Sequence, residues 1–192
     1  MRAMIKALEE GTILFHGSYI AVEKPDIVKC AKNKDFGRGF YLTTDRRQAA
    51  NFAKIALQKA YQNYLLDAPQ DFGVVSAFKY SAADGIKTKV YETADSEWLR
   101  CIVAHRKGGK FAPIVKDLQH YDIIGGKIAN DNTNATIMLY MSGAYGEVGS
   151  KRAEDFCISL LLPERLKDQY CFRSDKALDC LTFMWQRRVK CM

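Results

Sequence analysis

Short runs rich in aromatic and β-branched residues, each bounded by turn formers, occur along the chain and predict β-strands. The first two are "TILFH" (12–16), which ends at Gly17-Ser18, and "GFYLT" (39–43). Four later runs have the same character and predict further strands: "GVVSAFKY" (73–80), "KTKVYE" (87–92), "YDIIGG" (121–126) and "QYCFRS" (169–174).

After the second predicted strand, apolar residues recur at helical spacing. Thr44 or Asp45 can cap this helix, and Gln48 is placed to complete a capping box. One apolar stripe follows, formed by Ala49, Phe52, Ala53, Ala56, Ala60 and Tyr64. We expect the helix to lie against a sheet and to end before Pro69. Further helices are predicted near 95–106, 131–145 and 150–161.

The order of these elements indicates the fold class. Predicted strands are often adjacent in sequence, and strands and helices do not alternate regularly, which favours a mixed α+β domain over a doubly wound parallel sheet. The 192 residues suit one domain spanning residues 1–192, since a chain of this length can bury a sufficient core.

Composition is that of a soluble globular protein, with 48% hydrophobic and 27% charged residues. Acidic residues at positions 9 and 10 precede any apolar run long enough for a signal peptide, and the run "ISLLL" is far too short to span a membrane. Six cysteines are scattered without a C-x-x-C pair, which favours reduced, mostly buried thiols over a zinc site or a disulfide framework. We therefore expect a cytoplasmic protein with no membrane partner and no metal.

The formal net charge of +7 includes basic clusters at "HRKGGK" (105–110) and "QRRVK" (186–190). Such an excess attracts phosphate-bearing partners, either nucleotides or nucleic acids. A solvated basic face is the more common origin of such clusters.

A histidine at the end of a predicted strand is the first candidate for chemistry. His16 ends the first strand in "LFHGS", where Gly17 permits close backbone approach and Ser18 follows. Taken alone, a histidine in this position is more often structural than functional.

Together with residues 35–53, the H-G-S sequence resembles a known pattern. This chain has "HGS" at 16–18, then "FGRGFYL", then "QAANF". The order and separation resemble the ADP-ribosyltransferase superfamily, in the branch with a His-Tyr-Glu triad that includes the poly(ADP-ribose) polymerases. A closer resemblance is to a group of small bacterial proteins under a domain-of-unknown-function label, which share "LFHGS", "DFGRGFYLTTDRRQA", "YDII" and "AND". The fold that the resemblance implies is a split antiparallel β core flanked by helices.

The resemblance implies NAD+ as co-substrate and assigns roles to individual residues. Nicotinamide would stack between Tyr41 and Phe52, where two aromatic faces suit a pyridinium ring. The backbone of Gly17 would hold the carboxamide, His16 would contact the adenosine ribose, and basic residues such as Arg38 would lie near the diphosphate. For Phe52 alone, ordinary core packing is the alternative.

Two departures from the family pattern concern the reaction. Gln169 stands where the family has the triad glutamate, so His16, Tyr41 and Gln169 occupy the catalytic positions. An amide can orient the ribose but does not supply the negative charge that stabilises a developing cation. Ala49 replaces a serine that bonds the carboxamide.

Carboxylates near the missing glutamate do not replace it in an evident way. Asp131, Asp168 and Asp175 are candidates, but side chains alternate along a strand, so Asp168 should face away if Gln169 faces inward.

"YDIIGGKIANDNT" (121–133) is the remaining unusual stretch. Asn130 and Asp131 could border the NAD+ cleft or grip the acceptor, and the same residues also form a good helix start.

The function expected from the resemblance is NAD+-dependent mono-ADP-ribosyl transfer to a protein or nucleic-acid acceptor. The alternative is an attenuated NAD-binding or protein-interaction module, which Gln169 favours. An NAD-dependent RNA 2′-phosphotransferase shares the fold, but a clear set of additional phosphate-gripping Arg or His residues is not evident. A toxin-antitoxin partner remains an open alternative.

Overall fold

The computed structural model describes residues 4–128, 131–163 and 166–191, without the side chains of 131 and 132. Within these ranges the elements are β1 (Ile13–Ser18), β2 (Phe40–Leu42), α1 (Arg46–Gln62), β3 (Phe72–Tyr80), β4 (Thr88–Val90), α2 (Ser96–Lys107), α3 (Ala112–Asp117), β5 (Ile123–Lys127), α4 (Asp131–Met141), α5 (Lys151–Leu161), β6 (Asp168–Phe172), α6 (Asp175–Leu178) and β7 (Leu181–Lys190). The mixed α+β class is confirmed.

The strands form two sheets that meet at one point. The first sheet has the order β1-β3-β7 and the second has the order β2-β6-β5-β4. Four of the pairings are antiparallel, but β4 and β5 are parallel because α2 and α3 connect them in a crossover. The expected antiparallel core therefore has one parallel edge pair. Phe15 and Thr43 join the sheets through backbone hydrogen bonds of 2.8 and 3.0 Å.

Helix α1 begins at the predicted cap, but the capping box does not form. The Asp45 carboxylate accepts hydrogen bonds from the backbone N–H groups of Arg47 and Gln48. Gln48 does not turn back to the cap, because its Nε2 donates to the carbonyl of Asp168 at 2.9 Å. The predicted end of the apolar stripe is also wrong. The helix ends at Gln62, and Tyr64 has a positive φ of 54° and is 94% exposed.

Strand β1 packs directly on the backbone of α1. A Cβ on Gly17 would lie 2.0 Å from Ala49 O and 2.7 Å from Ala53 N, which no side chain tolerates. Ala49 and Ala53 are themselves buried small residues. Glycine at 17 and alanines at 49 and 53 thus let the helix approach the first sheet and fix its position.

Strand β7 was not predicted from the sequence. The stretch "QRRVK" is the solvated basic face that its composition indicated, since Arg187, Arg188 and Lys190 are exposed. It also belongs to a strand whose Trp185 and Val189 pack toward α1. The cations lie over aromatic rings, with Arg187 above Trp185 and Arg188 above Phe72. The cluster is therefore on a sheet strand, and its apolar alternation is hidden by long charged side chains.

Two larger clusters of buried side chains hold the fold together. One surrounds Trp98 on α2 and includes residues of α4 and α5, and the other lies where Leu14, Phe40, Phe78 and Phe172 of the two sheets meet. All six cysteines are free thiols and four of them are buried, as expected. Among the described residues, no helix combines the length and apolar character needed to cross a membrane.

Candidate functional site

A cavity of about 720 Å³ opens beside the junction of the two sheets. Its walls are the end of β1, strand β2, one face of α1, the loop between β1 and β2, and single residues of α2 and β6. This volume lies within the usual range of small-molecule sites. The loop contributes residues 19–26, 29–31, 34 and 35 to the lining.

The structure brings most of the predicted site residues to this cavity. The lining includes His16, Gly17, Ser18, Tyr41, Phe52 and Gln169. Arg38 is exposed and is not among the lining residues. Asn130 lies outside the described residues. Asp131 begins α4, but its side chain is also outside them, so the predicted substrate contact of this pair stays a prediction.

His16 is held in one tautomer by the backbone of β2. Its Nδ1 donates a 2.8 Å hydrogen bond to the carbonyl of Tyr41, and its ring packs on Phe40 with centroids 4.4 Å apart. Burial lowers the pKa of His16, and the bond to Tyr41 offsets part of this effect. The imidazole is therefore neutral at pH 7, with a lone pair on Nε2. No described residue bonds Nε2, so it can accept from a hydroxyl in the cavity.

Gly17 presents free backbone groups on the same side. The backbone N–H and C=O of Phe15 bond those of Thr43, so they point to the edge of β1 that faces away from β3. Because backbone groups alternate between the two edges of a strand, the N–H and C=O of Gly17 point to that same edge. Beyond Thr43 this edge has no partner strand in the described chain, and Gly17 lines the cavity. A donor and an acceptor side by side can bind a primary carboxamide.

Tyr41 joins the cavity to the turn at residues 35–37. Its hydroxyl accepts from Phe36 N at 2.9 Å and donates to Gly37 O at 2.8 Å. Burial raises the pKa of Tyr41 well above its ordinary value, so the phenol stays protonated. The positive φ of 83° at Gly37 lets the turn pass close to His105, where a Cβ would lie 2.7 Å from Cδ2. Tyr41 thus lines the cavity and fixes the turn with its hydroxyl.

Helix α1 contributes a stripe that includes the predicted aromatic residue. Gln48, Ala49, Phe52, Ile55, Ala56 and Lys59 line the cavity at helical spacing. Phe52 is partly exposed rather than part of the buried core, unlike its neighbour Ala53. Ala49 is buried and brings no polar group to the position where a serine was expected from the resemblance.

Gln169 and Asp168 face opposite sides of β6, as predicted from the strand period. Asp168 accepts from Thr43 Oγ1 at 2.6 Å and from Thr44 N at 3.0 Å, and it also accepts from Thr44 Oγ1. Gln169 is 5% exposed and faces the cavity side with Tyr41. Asp175 lies in the first turn of α6 and does not line the cavity. Neither aspartate therefore brings a carboxylate to the position of Gln169.

A carboxylate that sequence reasoning missed lies directly beside Gln169. Asp35 is 6% exposed and accepts a 2.7 Å hydrogen bond on Oδ2 from Gln169 Nε2. Its Oδ1 accepts from Arg106 Nε at 2.9 Å and from Arg106 Nη2 at 2.5 Å. The only sequence signals were an aspartate before the F-G turn and an arginine in the basic cluster at 105–110.

The rim of the cavity is more basic than acidic. Asp26 and Lys29 on this rim form an exposed ion pair of 3.9 Å, which contributes little. The basic lining residues are Lys24, Lys29, Lys34, Lys59 and Arg106, and the acidic ones are Glu23, Asp26 and Asp35. Within the described ranges no group of three or more His, Cys, Asp or Glu is arranged to hold a metal ion. The excess of basic lining residues favours an anionic ligand.

These features define a small α+β protein with a cavity that has an aromatic wall, an unpaired backbone edge and a buried amide–carboxylate pair. Residues 12–183 match the family described as protein of unknown function (DUF3990), and the chain belongs to this family. The expected membership of a domain-of-unknown-function family is thereby confirmed. No curated protein matches the chain.

Proposed function

We propose that the chain is an NAD+-dependent mono-ADP-ribosyltransferase acting on a protein or nucleic-acid acceptor, with an ADP-ribosyltransferase-like fold. The observation that carries the proposal is the convergence of residues from three distant parts of the sequence. His16, Tyr41 and Gln169 were assigned to triad positions by resemblance of short motifs, and all three line one cavity together with Gly17 and Phe52.

The residues that would hold NAD+ fit its parts. The free N–H and C=O of Gly17 complement the carboxamide of nicotinamide, and Tyr41 and Phe52 offer aromatic faces to the ring. The neutral Nε2 of His16 accepts from a ribose hydroxyl. The lysines of the rim are better placed for the diphosphate than Arg38, which is exposed outside the lining.

In the transfer step, the C–N bond between nicotinamide and ribose breaks, and a nucleophile of the acceptor attacks the same ribose carbon. Gly17 and the aromatic rings would hold the leaving group, and Gln169 would orient the ribose through Oε1. Positioning of this kind lowers the barrier by reducing the freedom of the reactants. The displaced nicotinamide leaves and the acceptor proton passes to solvent.

A second candidate is an attenuated module that binds NAD+ or a protein without turnover. The observation in its favour is that position 169 carries a neutral amide. A toxin-antitoxin partner fits either candidate.

Incubation of the purified chain with NAD+ and cell lysate, followed by intact-mass measurement, tests the proposal. Addition of one ADP-ribose to the chain or to lysate macromolecules, with release of nicotinamide, is expected. A thermal shift with NAD+ but no product under any condition would favour the binding module. Absence of both the shift and the product would remove NAD+ from consideration.

A further inference from the structure

We infer that Asp35 is the positioning residue for Gln169, and that this pair together replaces the single glutamate of the ADP-ribosyltransferase pattern. The inference rests on the proposed function, because the role it assigns is the orientation of the NAD+ ribose. Asp35 and Gln169 are 134 residues apart in sequence and are joined by a buried side-chain hydrogen bond.

The contacts of Gln169 fix which end of its amide faces the cavity. Both N–H groups have acceptors, since Nε2 lies 2.7 Å from Asp35 Oδ2 and 3.4 Å from the carbonyl of Lys127. Neither of these acceptors can donate a proton when Asp35 is ionised. The amide oxygen Oε1 is therefore turned away from both. It bonds no described residue, and Gln169 lines the cavity.

The carboxylate also changes the electronic character of the amide. A hydrogen bond from an N–H to an ionised carboxylate polarises the donor group, and burial strengthens the effect. Oε1 gains partial negative charge at the position where the family pattern has a carboxylate oxygen. Arg106 bonds the other oxygen of Asp35 and holds the carboxylate in place from α2.

Asp35 itself is positioned by its neighbours in the D-F-G turn. Phe36 is fully buried and lies 6.1 Å from the ring of Tyr91, and its N–H is bonded to the hydroxyl of Tyr41. The aspartate of the turn is thus a fixed, buried part of the cavity lining.

The same geometry explains why position 169 is not a glutamate. A glutamate in the same position would place a carboxylate oxygen 2.7 Å from Asp35 Oδ2. The same oxygen would lie 3.4 Å from the carbonyl of Lys127, which is also an acceptor. Two carboxylates this close are not both ionised, so one retains a proton. Among the described residues, the charged groups near this pair include Arg106, whose guanidinium bonds Asp35 Oδ1, Lys127, whose Nζ bonds the carbonyl of Leu166, and Asp168 on the opposite face of β6.

A charge swap tests the inference with four proteins: the wild type, Asp35→Asn, Gln169→Glu and the double variant. In Asp35→Asn, two N–H groups would oppose each other and the amide of Gln169 would turn over, so kcat for NAD+ cleavage should fall about tenfold or more while KM for NAD+ changes less. Gln169→Glu alone should also lose activity. In the double variant, the amide of residue 35 can still accept from Arg106 and donate to the introduced carboxylate. Its kcat should recover to within about threefold of wild type, which is strongly non-additive.

Protein stability as a function of pH supplies a readout that needs no activity. In folded Gln169→Glu, one of the two neighbouring carboxyl groups keeps its proton, whereas in the unfolded chain that group releases the proton at lower pH. Its free energy of unfolding should therefore decrease from pH 5 to pH 8 relative to wild type. In the double variant this decrease should disappear.

The outcomes separate the inference from the proposed function. Additive effects in the double variant, or an unchanged kcat in Asp35→Asn, would overturn the positioning role while an active wild type keeps the transferase proposal. A wild type that neither binds nor cleaves NAD+ would remove the transferase and the ribose role together, even where the stability measurements show that the two residues are coupled.

Discussion

The Nδ1 atom of His16 donates a 2.8 Å hydrogen bond to the backbone carbonyl of Tyr41. This bond links the last residues of β1 to the middle of β2, where the two sheets meet. It orients the imidazole so that Nε2 is the free acceptor, and it ties two of the predicted triad positions into one rigid unit.

Replacement of His16 by alanine should weaken the binding of NAD+ much more than the binding of nicotinamide. NAD+ should bind about five- to tenfold more weakly, the equivalent of one hydrogen bond, because Nε2 would lose its ribose hydroxyl. Nicotinamide should bind almost as before. Titration calorimetry with both ligands measures this difference. His120→Ala, at an exposed site outside the cavity lining, is the control. Equal losses for NAD+ and nicotinamide would contradict the assigned role.

His16 should also make the stability of the protein dependent on pH. Burial lowers its pKa in the folded state, so the folded protein binds a proton less readily than the unfolded chain does. The contribution is fully present above the ordinary histidine pKa and is lost as the pH falls through the lower folded value. Urea unfolding at pH 7 and pH 5 should show a smaller decrease in unfolding free energy for His16→Gln than for wild type.

A second buried histidine provides the internal comparison for that experiment. Burial also lowers the pKa of His105, so part of the pH dependence should persist in His16→Gln. A decrease identical to that of wild type would mean that His16 titrates the same way in the folded and unfolded chains.

The aromatic wall can be tested at Phe52, which is partly exposed, with less damage to the fold than at Tyr41. Phe52→Ala should weaken nicotinamide binding about tenfold or more, through loss of stacking and of buried area. The rise in melting temperature with nicotinamide should then nearly vanish. Phe156→Ala, on an exposed position of α5, should leave the rise unchanged. An undiminished shift in Phe52→Ala would exclude this wall from the ligand site.

The close approach of β1 to α1 predicts a severe effect at Gly17. Gly17→Ala would place a methyl group 2.0 Å from Ala49 O, so the strand and the helix must separate. We expect a loss of more than about 3 kcal/mol in unfolding free energy, measured by urea denaturation. Gly85→Ala is the matched control, because its Cβ meets nothing within 4 Å and only the φ of 77° opposes it. We expect Gly85→Ala to lower the unfolding free energy by about 1 kcal/mol. Similar losses in both variants would show that the contact relaxes easily.

Asp168 should act on stability rather than on the ligand. Asp168→Asn would remove the charge that binds Thr43 and Thr44 ahead of α1, at a cost of about 1–2 kcal/mol in unfolding free energy. The affinity for nicotinamide should change little, because the side chain faces away from Gln169. Asp175→Asn, at an exposed position in α6, is the control for loss of one negative charge. A large loss of affinity in Asp168→Asn alone would place its carboxylate in the ligand site.

Strong local signals were enough to predict most of the elements. The aromatic and β-branched runs predicted six of the strands, and the Asp45 cap and alanine stripe predicted α1. The strand period also placed Asp168 and Gln169 on opposite faces. Prediction failed where local signals conflicted. Arginines and a lysine masked the apolar alternation of β7, and Gln48 found a better partner in the carbonyl of Asp168 than in its own helix cap.

The sequence by itself determined the α+β class, the family of short motifs, and the positions of His16, Gly17, Tyr41 and Phe52 relative to their own strands and helix. These depend on neighbours within a few residues, where spacing and side-chain type are sufficient. Only the tertiary structure decided that Asp35 lies against Gln169 and that Arg106 holds it there. A hydrogen bond between residues 134 positions apart leaves no periodic pattern in the chain. It arises because the buried Phe36 holds the turn that carries Asp35 against the core, and because β6 places the amide of Gln169 next to that turn.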